Sequence, residues 1–210
     1  MTSSAFIRPY APGDRPALDD ICVRTAHNGQ DSRPFYTDPS VFSATFALPY
    51  AELEPELTFV VDDGRGQAVG YIVGTADTAR FVEAFRDRWL PLVADRYPEP
   101  SGPPATPDER IVVLLHHPER MIVPELARHP AHLHIDLLPD WQGRGLGRKL
   151  MRTLLKALHD RDVPAVHLGM SPANTGARAF YDRLGFEEIA VADAVDVTYL
   201  GRPTSGFDRL

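Results

Sequence analysis

The chain has 210 residues, 43% of them hydrophobic and 24% charged, and its formal net charge at pH 7 is −7. A chain of this length and apolar content can bury a sizeable core without covalent staples, and a single cysteine, Cys22, excludes an intrachain disulfide. The negative charge argues against nucleic-acid partners, whose phosphates are held by clustered lysine and arginine, and favours basic or amine-bearing ligands.

Two kinds of segment that would send the chain to a membrane or out of the cell are missing from its pattern. Residues 1–10 lack the charged start and long apolar run of a secretory signal. No window approaches the ~20 continuous apolar residues of a membrane span. We therefore expect a cytoplasmic location and no membrane partner.

The first half of the chain alternates short apolar runs with helical patterns, which indicates a mixed α/β structure. Asp14 is expected to cap the first helix, with Pro16 in its first turn. In chain order we expect a strand at 5–9, a helix at 15–26, a helix opening at Asp38, a hairpin of strands at 58–62 and 68–75, and a helix at 78–94.

The segment 98–107 contains five prolines, so it predicts a loop rather than a helix or a central strand. Too little chain lies on either side of it for two independent cores. The apolar run 111–115 is expected to return directly to the sheet, and the tail 203–210 is expected to be loosely held.

The most informative stretch is Gln142 to Gly147, between an apolar strand at 131–138 and an amphipathic helix that runs to about His159. Glycines let the backbone turn tightly and direct several N–H groups at one anion, at the positive end of the helix dipole. A strand, a glycine turn and a helix in this order predict a pyrophosphate site.

Two glycine-loop interpretations fail on spacing. A Walker A loop needs Lys and then Ser or Thr after its second glycine, whereas Gly147 is followed by Arg148 and Lys149. A dinucleotide fingerprint needs G-x-G-x-x-G, whereas the glycines here fall at 143, 145 and 147.

Two motifs resemble those of the GNAT superfamily of N-acetyltransferases. Gln142, Gly145 and Gly147 match its Q/R-x-x-G-x-G/A signature. A short strand at 165–170 follows, and then comes the equivalent of the superfamily's N-x-x-A-x-x-x-Y-x-x-x-G-F helix. That helix is matched by Asn174, Ala177, Tyr181, Gly185 and Phe186.

Most of the chain also resembles the acetyltransferase-like C-terminal domain of O-GlcNAcases, through scattered short matches. Animal members of that group look degenerate in the phosphate loop, whereas this chain keeps Arg144, Gly145 and Gly147, so we expect cofactor binding. We expect no sugar-cleaving activity, because the hydrolase part has no room in 210 residues. The matches are Ile7-Arg8-Pro9-Tyr10, Trp89-Leu90-Pro91, Tyr97-Pro98, Ile135-Asp136 and Leu200-Gly201-Arg202.

The resemblance implies a GNAT fold, which is an α/β fold with a mixed, mostly antiparallel central sheet of about six or seven strands flanked by helices. A splayed parallel pair of strands would form the acetyl-CoA cleft. We expect one domain over 1–210, with an acceptor-side half at 1–130 that includes the loop 98–107 and an acetyl-CoA-binding half at 131–200.

The resemblance also implies acetyl-CoA as the cosubstrate. Its pantetheine arm would pair with an exposed strand edge, and the N–H of Leu138 would stabilise the oxyanion. Asn174 either steadies the pantetheine arm or caps the helix that follows it, and both roles are compatible. The expected cofactor-binding residues are Leu137, Leu138, Gln142, Gly143, Arg144, Gly145, Leu146, Gly147, Arg148, Asn174 and Tyr181.

The expected general acid is Tyr181, because a phenol with a reference pKa near ~10 is protonated at neutral pH and can supply a proton to the CoA thiolate. The base is open. Strand alternation puts His132, His134, Asp136 and Leu138 on one face. Asp136 is the first choice because it lies nearest the reacting carbonyl, and His134 is the second because its reference pKa suits neutral pH. A simple hydrogen bond to a loop is the alternative for either.

The histidines do not predict a metal site, since no cysteine or close ligand pair completes a set and the family needs no metal. Two functions remain open: direct acetyl transfer to an amine through a ternary complex, or a non-catalytic module that binds acetyl-CoA or a protein. The expected partners are acetyl-CoA and an amine-bearing small molecule, protein or peptide, and a homodimer is left open. The histidines concerned are His116, His117, His129, His132 and His134.

Overall fold

A computed structural model describes residues 5–192 and 194–210, and a seven-stranded sheet lies at the centre of this part of the chain. The strands are β1 (Phe6–Pro9), β2 (Thr58–Asp62), β3 (Ala68–Thr75), β4 (Ala131–Leu137), β5 (Ala165–Met170), β6 (Glu187–Ile189) and β7 (Thr198–Pro203). Their order in the sheet is β1-β2-β3-β4-β5-β7-β6, and only β4 and β5 pair in parallel. The predicted mixed, mostly antiparallel sheet is confirmed.

Helices cover both faces of the sheet. They are α1 (Arg15–Val23), α2 (Ser40–Phe46), α3 (Leu48–Leu53), α4 (Thr78–Ala84), α5 (Leu90–Val93), α6 (Pro107–His116), α7 (Leu146–His159) and α8 (Thr175–Arg183). A π-helical turn, Phe85–Trp89, joins α4 to α5, so the helix predicted at 78–94 is present but irregular. Within the described ranges, no helix is long and apolar enough to cross a membrane.

The sheet separates two apolar cores. One core contains Leu18, Tyr50 and Trp89 and is formed with the helices from α1 to α6. The other contains Leu150 and Leu154 and is formed with α7 and α8. Because β3 lies between the two cores, it is buried along its whole length.

The parallel pair β4 and β5 opens into a seam. Its pairing is limited to Ala131 with Val166 and His132 with His167, although both strands run on for several more residues. β4 stays paired with β3 and β5 stays paired with β7 beyond that point. The strands therefore part while each keeps its other neighbour, which leaves two unpaired edges facing each other. The predicted splayed pair is confirmed.

The first helix is shorter than predicted and its cap differs. α1 ends at Val23, and the side chain of Asp14 makes no capping hydrogen bond to it. The Asp14 carboxylate instead accepts hydrogen bonds from the Ala11 N–H at 2.8 Å and from the Arg8 guanidinium at 2.7 and 2.8 Å. A charge-assisted pair of this kind outweighs a helix cap, because it satisfies both oxygens at once.

Two other predictions are wrong. The run 111–115 lies inside α6, whose start is set by a capping box in which the Thr106 side chain accepts a hydrogen bond from the Glu109 N–H at 3.1 Å. The tail is held rather than loose, since Thr204 is 1% exposed and its hydroxyl donates to the Val163 carbonyl at 2.6 Å.

Candidate active site

The glycine loop between β4 and α7 has the backbone geometry of an anion cradle. Gly143 and Gly145 have φ angles of 70° and 75°, in the left-handed region that strains any residue with a side chain. Nothing lies within 4 Å of a Cβ built on either glycine, so the φ angle and not crowding is what calls for glycine at these positions. Gly145 is the N-cap of α7 and brings no side-chain acceptor. The N–H groups of Leu146, Gly147 and Arg148 in the first helical turn are therefore left for an anion.

The loop also carries an exposed cation. The guanidinium of Arg144 lies 5.1 Å from the centroid of the Trp141 ring. This stacking holds the positive charge beside the loop through the ring face rather than through a carboxylate. Arg144 is exposed, so an anionic ligand could reach it.

Gly147 sets the distance between α7 and α8. A Cβ at this position would lie 3.2 Å from two ring atoms of Phe180, a closer approach than side chains normally make. Phe180 is next to Tyr181, and their ring centroids are 5.2 Å apart. The missing side chain at Gly147 thus lets the tyrosine helix pack against the start of the phosphate-loop helix.

One hydrogen-bond donor of the main chain at the end of β4 is not free, contrary to the prediction. The N–H of Leu138 donates to the Val69 carbonyl at 3.1 Å, so the expectation of a free N–H there is wrong. Because alternate residues of a strand direct their N–H groups to opposite edges, Ile135 and Leu137 face the seam instead. The side-chain amide of Gln142 donates to the Leu137 carbonyl at 2.9 Å and ties the loop to this strand end.

Tyr181 lies in the apolar core that is formed with α7 and α8. Its ring is 8% exposed and packs edge-on against Phe180 and Phe186, with centroids 5.2 and 5.4 Å away. Burial, and after it the charge of Asp136, raise the pKa of the Tyr181 phenol. The phenol is therefore protonated at neutral pH.

Asn174 occupies the N-cap of α8. Its Oδ1 accepts a hydrogen bond from the Ala177 N–H at 3.0 Å, which confirms the capping interpretation. An N-cap amide keeps its NH₂ group for other partners. A contact with the pantetheine arm stays a prediction.

The carboxylate of Asp136 is held by a residue of the neighbouring strand. Tyr71, its partner in the register of β3 and β4, donates a hydrogen bond to Oδ2 at 2.6 Å. Burial raises the pKa of Asp136 to about 6, and the hydrogen bond from Tyr71 acts in the opposite direction. A carboxylate with a pKa near neutrality can take up and release a proton at physiological pH.

His132 and His134 lie on the same face of β4, as strand alternation predicts. Both rings contact the hydroxyl of Tyr50. The Tyr50 hydroxyl is 2.6 Å from His132 Nε2 and 3.1 Å from His134 Nε2. His132 Nδ1 lies 2.9 Å from Thr78 Oγ1, and that hydroxyl donates to the Pro130 carbonyl at 2.7 Å.

These contacts determine which atom donates and which accepts in each of the three hydrogen bonds of these histidines. The Thr78 proton is used on a carbonyl, so His132 donates from Nδ1 and its Nε2 accepts from Tyr50. The Tyr50 oxygen then accepts from Nε2–H of His134. The remaining ring nitrogen of His134, Nδ1, is thereby an acceptor.

Burial distinguishes the two candidate bases. It lowers the pKa of His134 to about 3, with a smaller contribution from the charge of Arg120. It raises the pKa of Asp136 to about 6. A base whose pKa lies near the operating pH is the more effective, which favours Asp136. His134 therefore stays neutral at physiological pH, and its Nδ1 can accept a hydrogen bond.

The other histidines make separate contacts. His116 Nε2 lies 2.6 Å from the Tyr97 carbonyl, and His117 lies between Glu99 at 2.8 Å and Glu119 at 3.1 Å. His129 packs against the backbone at Gly201. Among the residues that the structure describes, no group of three or more His, Cys, Asp or Glu could hold a metal ion.

Sequence reasoning missed two residues of this site. Tyr71 is 65 positions from Asp136, and Tyr50 is 82 positions from His132. Both lie in apolar segments where a tyrosine is usually read as core. The only local signal was a polar tip in a run that the sheet buries completely, since such a hydroxyl needs a partner.

Three comparisons with known proteins bear on this site. The model of the Acetyltransferase (GNAT) family matches residues 24–186. The crystal structure of SsHAT has a TM-score of 0.94 and 70% identity, and the match covers 96% of this chain and 99% of that one. A PaiA N-acetyltransferase from Thermoplasma acidophilum, solved in complex with coenzyme A, shares the fold, with a TM-score of 0.59 and 12% identity over 95% of this chain and 99% of that one.

A longer relative is similar over nearly the whole chain. Protein O-GlcNAcase of Rattus norvegicus is 27% identical over 206 residues, which cover 96% of this chain. The chain spans only 22% of the length of that relative. The similarity therefore concerns one part of the larger protein.

Proposed function

The chain belongs to the acetyltransferase (GNAT) family of N-acetyltransferases, and we propose that it transfers an acetyl group directly from acetyl-CoA to an amine. The observation that carries the proposal is the seam between β4 and β5, which opens toward the end of β4 that leads into the glycine loop. Asp136 belongs to β4, one strand of the seam, and Tyr181 belongs to α8, the helix that follows the other strand, β5. The coenzyme A complex of the Thermoplasma acidophilum relative supports the choice of cosubstrate.

The loop and the strand edge would hold the cosubstrate. The N–H groups of Leu146, Gly147 and Arg148 bind the pyrophosphate, and Arg144 adds a positive charge. The seam-facing N–H and carbonyl of Ile135 pair with the pantetheine arm as a neighbouring strand would. This pairing directs the thioester to the open end of β4.

The transfer needs three groups of the chain. Asp136 accepts a proton from the ammonium, and the freed amine attacks the thioester carbonyl, forming a C–N bond. The N–H of Leu137 stabilises the negative oxygen of the tetrahedral intermediate. As the C–S bond breaks, Tyr181 donates its proton to the thiolate, which leaves as free thiol. The nitrogen of the new amide gives up its second proton, which returns to the Tyr181 phenolate directly or through water and restores the phenol. No covalent intermediate on the enzyme is required.

The test follows free thiol in a mixture of the protein, acetyl-CoA and a panel of amines and peptides. We expect amine-dependent thiol release, and we expect Tyr181→Phe to reduce it by about 10–1,000-fold with acetyl-CoA affinity retained. Tyr36→Phe, which removes the same hydroxyl from a tyrosine that packs against Phe42, serves as the variant control for the assay.

Two results would count against the proposal. Tight binding of acetyl-CoA without thiol release above hydrolysis, across the whole panel, would assign the chain to cofactor binding without turnover. If calorimetry detects no affinity for coenzyme A, the proposed cofactor site is wrong.

A further inference from the structure

Arg120 is a cation with no carboxylate partner in the described part of the chain. It lies in the short turn Pro118–Met121, where its Nε donates to the Leu114 carbonyl at 3.2 Å. The neighbouring carboxylate of Glu119 pairs with Arg86 and with His117 instead. The side chain is exposed, yet the protein around it lowers the pKa of the guanidinium by desolvation.

This guanidinium lies on the face of the sheet that carries Asp136. It stacks 5.6 Å from the centroid of the Phe46 ring, and the Phe46 ring contacts His134, with centroids 5.5 Å apart. The stacking and the ring contact connect Arg120 to His134 on β4 through the Phe46 ring.

A guanidinium without a carboxylate partner is stabilised by an anion, and its planar fork matches a carboxylate with two parallel hydrogen bonds. The net charge of −7 makes a local cation necessary for any anionic ligand, because the molecule as a whole repels it. We propose that the acceptor is an amine that also carries a carboxylate, which Arg120 binds while Asp136 accepts the ammonium proton. This inference rests on the proposed acetyl transfer.

Arg120 and Asp136 lie near different positions along β4. Arg120 reaches this face through the Phe46 ring, which contacts His134. Asp136 lies two residues beyond His134 on β4, and two residues of a strand rise by about 7 Å. The amine and the carboxylate of the acceptor must be separated accordingly. An ω-amino acid of several carbons meets this requirement better than glycine does.

The experiment compares acids with their amides at each length. Thiol release from acetyl-CoA is measured with glycine, β-alanine, 4-aminobutyrate and 6-aminohexanoate, and with the carboxamide of each. An amide lowers the pKa of the nearby amine and so supplies more of the reactive neutral form. A preference for the acid therefore cannot come from amine basicity.

The variants are Arg120→Met and a matched control, Arg161→Met. Arg161 is also exposed and also donates to one main-chain carbonyl, that of Ala157 at 2.8 Å, but it follows α7 on the opposite face. We expect wild type and Arg161→Met to favour one of the acids at least about 10-fold in kcat/KM, a factor worth about 1.4 kcal/mol. In Arg120→Met this preference is lost through KM, while rates with the amides and affinity for coenzyme A are unchanged.

The outcomes separate this inference from the proposed function. Equal or better rates with the amides at every length, or an acid preference that survives in Arg120→Met, would overturn the inference while leaving acetyl transfer intact. If no acceptor releases thiol, the proposed function fails. Calorimetry with the same acids and coenzyme A-loaded protein then decides: saturable binding lost in Arg120→Met supports the carboxylate site, and no saturable binding refutes it.

Discussion

Tyr71 and Asp136 face each other across β3 and β4, and the phenol of Tyr71 donates a hydrogen bond of 2.6 Å to the carboxylate of Asp136. Tyr71 is fully buried, so the bond holds the proposed base in one position. The pKa of Asp136 is set by two opposed effects: burial disfavours the charged form, and the hydrogen bond favours it. Several predictions of rate and stability depend on this balance.

Replacing Tyr71 by Phe should move the pH profile without abolishing activity. Loss of the hydrogen bond to the charged form raises the pKa of Asp136 further, so the acid limb of kcat/KM shifts to higher pH by about one unit. Above that limb the rate should approach wild type. Rates measured from pH 5 to 9 test this, with Tyr36→Phe as the control, since Tyr36 packs against Phe42 away from the carboxylate. If the acid limb of kcat/KM does not shift in Tyr71→Phe, Tyr71 does not set the pKa of the base.

Asp136→Asn should remove the base while keeping the fold. The amide oxygen still accepts from Tyr71, but it cannot take up a proton, so kcat should fall by about 10²–10⁴-fold. Affinity for coenzyme A should be unchanged, because the glycine loop is formed by other residues. A matched His134→Gln variant should lose far less in kcat, since burial keeps the pKa of His134 near 3. A larger loss of kcat in His134→Gln than in Asp136→Asn would identify His134, and not Asp136, as the base.

The same carboxylate should make stability depend on pH. Its pKa in the folded state, about 6, exceeds its usual value of 3.8, so its contribution to stability is complete below about pH 4 and is lost as pH rises through 6. A difference of about two units corresponds to at most about 3 kcal/mol. Asp136→Asn should therefore be more stable than wild type at pH 8, and the difference should shrink toward pH 4.

Denaturant unfolding of both proteins across this pH range measures the effect. The buried histidines act with the opposite sign, because the pKa of His134 is lowered from 6.5 to about 3 and its contribution is lost as pH falls through that window. Comparing wild type with Asp136→Asn at each pH cancels the histidines. A difference that does not vary with pH would show that Asp136 is not the titrating group.

Gly145→Ala should weaken the cofactor site specifically. The φ of 75° at this position costs a residue with a Cβ about 1–2 kcal/mol, although the space around it is open. If the loop relaxes to avoid this strain, its N–H groups turn away from the anion, and the Kd for coenzyme A should rise about tenfold or more. Gly102→Ala is the control, since Gly102 lies in the proline-rich loop with nothing near its Cβ position. Equal affinities in calorimetry would contradict the role of the loop.

Local patterns in the sequence determined a large part of this fold. β2, β3 and β5 have the predicted bounds, and α7 ends at the predicted His159, because alternation and helical periodicity are encoded over short stretches. The glycine turn and the capping Asn174 were also predicted, since each depends on residues close in sequence. The run 111–115 was assigned wrongly because a strand and a buried helical stretch share the same apolar pattern.

Only the tertiary structure decided which atoms can act. Strand register pairs the N–H of Leu138 with Val69 and so turns Leu137 toward the seam. Packing of distant segments brings Tyr71 to Asp136 and Arg120 to Phe46, and burial separates the pKa of Asp136 from that of His134. Register and burial are properties of the whole sheet and its two cores, so no local stretch of sequence specifies them.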